Sequence, residues 1–114
     1  PSVKALWSYK AENEPLPKSG DYSVITDWEA HGICIIQTSR VSVVPFNQVS
    51  SDFAVREGEG DGSLAYWKKV HREAFTRDLE EVNRTTGSRY SFNEDMPVVC
   101  QECMLVYPNP ENNA

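Results

Sequence analysis

Residues 63–87 read SLAYWKKVHREAFTRDLEEVNRTTG. The apolar positions Leu64, Trp67, Val70, His71, Ala74, Phe75, Leu79 and Val82 recur at spacings of three and four, which is one face of a helix. Ser63 stands where an N-cap hydroxyl is needed, and Gly87 breaks the run. This is the one clear helix in a chain of 114 residues, so the segments on either side of it decide the fold class.

Upstream, DYSVITDW (21–28) alternates Tyr22, Val24 and Thr26 on one face and reads as a strand. EAHG (29–32) reads as a hairpin turn. ICIIQTSRVSVVPF (33–46) is rich in β-branched residues and forms one long strand, or two joined by a bend, ending at Pro45. NQVSSDFAVREGEG (47–60) is read as a short helix followed by a loop. Downstream, SRYSFNEDMP (88–97) is a loop and VVCQECMLVY (98–107) a strong final strand. At the start, PSVKALWSYK (1–10) fits either a strand end or a helical turn, and Pro15 and Pro17 keep 11–20 irregular. Residues 108–114 are expected to fray. Strands outnumber helices and local hairpins dominate. The pattern predicts one α+β domain over 1–114, built on a small antiparallel β-barrel with flanking helices, because a parallel sheet would need repeated crossovers.

Composition narrows the function. No apolar run approaches the roughly 18 residues of a membrane span; the longest candidate is Ile33–Ile36. The net charge of -6 disfavours a tight grip on long nucleic acid, where affinity comes from released counterions. Lys68, Lys69 and Arg72 are the densest basic group. The three cysteines, Cys34, Cys100 and Cys103, are an odd number and argue against a disulfide framework; reduced thiols suit the cytoplasm. Asn83-Arg84-Thr85 matches a glycosylation acceptor but reads as coincidence without a secretion signal. The first residue is proline, from which the chain is expected to be trimmed at its N-terminus.

The loop EGEGDGS (57–63) alternates acids with glycines. As a calcium loop it fails at position 12, where a bidentate carboxylate is required and Lys68 stands instead. Two readings stay open. Acids just before a helix complement its dipole, which suits Asp61 and partly Glu59. Alternatively the glycines admit a ligand, and a carboxylate beside the apolar helix start does proton work. Cys100-Gln101-Glu102-Cys103, with His31 and Cys34, supplies four zinc-type ligands. Side chains three apart on a strand point to opposite faces, so no metal site is expected. His71 is either a buried, hydrogen-bonded core histidine or a pocket wall. One or two of the aromatics at a pocket mouth would stack on a base. No neighbourhood marks a serine or cysteine as a nucleophile.

Four blocks, ENEPLPKSGDYSVITDW, CIIQTSRVSVVPFNQV, FAVREGEGDGSLAYWKKVH and FNEDMPVVCQECMLVY, together resemble the ASCH domain family from about Trp7 to Tyr107, in order and in spacing. The resemblance implies a PUA-like fold with a cleft and an association with RNA or a nucleoside. Some relatives hydrolyse acetylated cytidine or cleave RNA, using a lysine and a threonine on a G-x-K-x-x-T stretch and a glutamate in the loop before the main helix. That glutamate corresponds to Glu59, or to Glu57 if the loop is aligned one step differently. The G-x-K-x-x-T stretch is absent from this sequence, which implies a fragment or a divergent member, and no competent hydrolase from these residues alone. Cys103 also departs from the large apolar residue relatives carry there. The expected site is therefore Glu59 and Glu57 as proton acceptors, with Asp61 shaping the loop. Trp67 and His71 line the wall, and Lys4 and Lys10 are the nearest cations. No cofactor is expected. A missing sheet edge would expose apolar surface and favour a homodimer. The competing expectation is a non-catalytic module that uses the barrel face for a protein partner.

Overall fold

The computed structural model describes residues 2–28, 32–57 and 62–108. Their order is β1 (Ser2–Ala5), α1 (Leu6–Ala11), β2 (Tyr22–Trp28), β3 (Gly32–Pro45), a 3-10 turn (Phe46–Gln48), α2 (Ser51–Glu57), α3 (Leu64–Thr86) and β4 (Pro97–Tyr107). The strands form one sheet in the order β1-β4-β3-β2, so β1 and β2 are its edge strands. The class is α+β, an antiparallel sheet with flanking helices, as the sequence pattern predicts. Two expectations sharpen: of residues 33–46, all but Phe46 belong to one strand rather than two, and residues 1–10 contain both a strand and a helix. Among the described residues no helix is long and apolar enough to cross a membrane. Of the turn predicted at 29–32, Gly32 begins β3 and 29–31 lie outside the described residues, as does nearly all of the tail 108–114.

The chain divides into two compact units. The first comprises 2–16 and 42–100 and holds the main core. Phe46, Trp67, Leu79, Met96 and Val98 are its largest fully buried side chains. Phe46 organises them. Its ring stacks on Trp67 at 5.7 Å and takes Phe75 and Phe92 edge-on at 5.9 and 5.0 Å, within the distances at which aromatic pairs attract beyond their area burial. α3 buries Trp67, His71, Phe75, Leu79 and Val82, the face that the periodicity marks. Both of its ends are formed as predicted. The Ser63 hydroxyl accepts from the Tyr66 N–H at 3.1 Å, and Gly87 takes the left-handed conformation at φ 72°. The loop after α3 is held by its own hydrogen bonds. Asn83 Nδ2 donates to the Tyr90 carbonyl at 2.6 Å, and Asn83 Oδ1 accepts from the Tyr90 N–H at 2.9 Å. Arg72 grips both carboxylate oxygens of Glu94, at 2.8 and 3.3 Å.

The second unit comprises 17–41 and 101–108. β2 and β3 pair antiparallel with Tyr22 opposite Gln37, Val24 opposite Ile35 and Thr26 opposite Ile33, and an irregularity follows before Trp28 meets Gly32. Two main-chain bonds continue the pairing beyond Tyr22. Gly20 N–H reaches the Thr38 carbonyl at 2.7 Å, and Thr38 N–H reaches the Asp21 carbonyl at 2.8 Å. Gln101 Nε2 donates to Thr38 Oγ1 at 2.8 Å and Ser39 Oγ to the Glu102 carbonyl at 3.1 Å. The alternation of β2 does not bury a face. Tyr22, Val24 and Ile25 are 65%, 62% and 44% exposed.

Candidate functional site

Glu57 closes α2, and the period of that helix decides where it points. Ser50 Oγ accepts from the Phe53 N–H at 3.1 Å and starts the helix. Phe53 and Ala54 are its buried residues, and the Phe53 ring meets Trp67 edge-on at 6.3 Å. Glu57 follows Phe53 by four residues and so shares its face, toward α3. Its side chain is only 10% exposed and brings Oε1 to 3.9 Å from His71 Nε2.

α3 presents the matching residues by the same spacing. Trp67, His71 and Phe75 form a column, with His71 stacked on Trp67 at 4.2 Å and 20° and tilted against Phe75 at 5.8 Å. His71 Nδ1 donates to the Trp67 carbonyl at 2.9 Å. A carbonyl only accepts, so this bond fixes the proton on Nδ1 and turns Nε2 toward Glu57. A proton on either Nε2 or the carboxylate makes the contact attractive. The Trp67 indole N–H is also buried, with no hydrogen-bond partner among the described residues. A buried donor left in that state costs about 1–3 kcal/mol.

The expected site residues separate into groups. Glu57, Trp67 and His71 come together as described. Trp67 is 1% exposed and supports His71 from within the core. Glu59 and Asp61 lie outside the described residues. Lys4 sits on β1 with its ammonium 3.5 Å from Glu14 and over the Tyr9 ring at 4.6 Å. Lys10 is exposed in the last turn of α1. Lys4 lines a concavity apart from that pair, whose α3 wall is Asp78, Glu81 and Val82. At about 1.5 Å of rise per residue, the ten residues from His71 to Glu81 separate the two places by roughly 15 Å along α3. That concavity escapes a reading of motifs, although Ser8/Glu12 and Asp78/Glu81/Val82 stand at helical spacings that would have grouped them.

Cys34 and Cys100 are buried and Cys103 half-buried, and none of the three is in a disulfide. Among the described residues no group of three or more His, Cys, Asp or Glu side chains is placed to hold a metal ion.

The model of the ASCH domain family matches residues 2–107. Two solved structures share the fold. The ASCH domain from Lactobacillus crispatus JV V101 superposes with a TM-score of 0.76 at 38% identity, over 91% of this chain and 62% of that one. A protein from Enterococcus faecalis V583 gives 0.75 at 34% identity, over 97% of this chain and 64% of that one. The chain therefore spans less than two thirds of either structure's length. No curated protein matches it.

Proposed function

The chain belongs to the ASCH domain family, and from that premise we propose that it is a nucleoside- or RNA-binding domain of PUA-like fold whose ligand meets the Glu57–His71 pair. The observation that carries this reading is the pair itself: a carboxylate and an imidazole, each 10% exposed and 3.9 Å apart, with Glu57 the second of the two positions, after Glu59, to which the resemblance assigns the family's glutamate. A core built for stability alone gains little from a buried acid facing a buried base. A heterocyclic base, in contrast, carries donors and acceptors on one edge. Glu57 accepts from such a donor, and His71 Nε2 beside it offers a second polar atom. In a longer chain carrying the G-x-K-x-x-T stretch, Glu57 or Glu59 is the proton acceptor for hydrolysis of a modified nucleoside or of RNA. A small ligand also suits the net charge of -6, which opposes a long phosphate backbone.

The test titrates cytidine, N4-acetylcytidine and a short single-stranded RNA into the wild type, Glu57→Gln and Glu59→Gln. Saturable binding that Glu57→Gln weakens by about tenfold or more, with melting temperature reported alongside, supports the reading. If Glu59→Gln alone abolishes binding, the role passes to residue 59. Affinities equal in all three proteins, or no binding at all, would falsify it.

A second reading, a protein-interaction module, is favoured by the apolar residues Tyr22, Val24 and Ile25 on edge strand β2. An uncovered edge of that kind is a surface for strand addition. A second copy of the chain is the simplest occupant.

A further inference from the structure

We draw no further inference here: the strongest candidate, the surface patch of exposed apolar residues Met104, Leu105, Val106 and Tyr107 at the end of β4, carries none because nothing in the structure shows what covers it.

Discussion

Asn83 bonds both main-chain polar groups of Tyr90, which sits seven residues downstream. Removing its amide leaves a half-buried N–H and C=O to find water. Asn83→Ala should therefore cost about 1–3 kcal/mol in denaturant unfolding. Asn83→Asp keeps the acceptor and should cost less. The same geometry explains why the Asn83-Arg84-Thr85 match is coincidental: a glycan on that nitrogen would displace the clamp. Tyr9 offers a test by pH. Burial is the main cause that pushes its phenol above 10.0, Lys4 opposes this, and Glu14 adds to it. Protonation is thus favoured in the folded state. The stabilisation is complete below the unfolded value near 10 and is lost as pH rises through the higher folded value. Absorbance at 295 nm should show one tyrosine ionising late, and Tyr9→Phe should remove that phase. Glu81 runs in the opposite sense. Its bond to Arg84 holds the carboxyl below 4.5, so its contribution is present above that pH and fades as pH falls through the lower folded value.

At the scale of elements, α3 shows what a sequence makes legible and why. Its period, cap and stop residue agree, so local and tertiary preferences coincide. Ser63→Ala should cost about 1 kcal/mol. Gly87→Ala should cost a similar amount, about 1 kcal/mol, through its positive φ, because a Cβ there meets no atom within 4 Å. Thermal melts read both. The first ten residues were ambiguous because β1 and α1 are too short for any period to repeat; a helix of six residues exists only by packing. The candidate site was half legible. Glycines and acids marked the loop, and helical spacing put His71 on the buried face. That Glu57 faces His71 depends on how far α2 extends, which the glycine-rich sequence does not signal. The alternation in β2 gave the strand but not its exposure, since period two records two faces and says nothing of what covers either.

For the whole molecule, the uncovered residues of β2 bear on association. If copies pair through this edge, sedimentation should show a concentration-dependent dimer, and Val24→Lys, an edge charge of the kind that blocks strand addition, should return it to monomer. A single species at all concentrations would rule that pairing out. Membership of the two compact units has a consequence for how the gene can be divided. The chain passes between them three times, after Leu16, after Val41 and after Cys100, twice inside a strand. Neither unit is a contiguous stretch of codons, so no single excision, splice junction or library breakpoint can deliver one of them whole. Recombination can inherit this fold or lose it, but it cannot shuffle the halves.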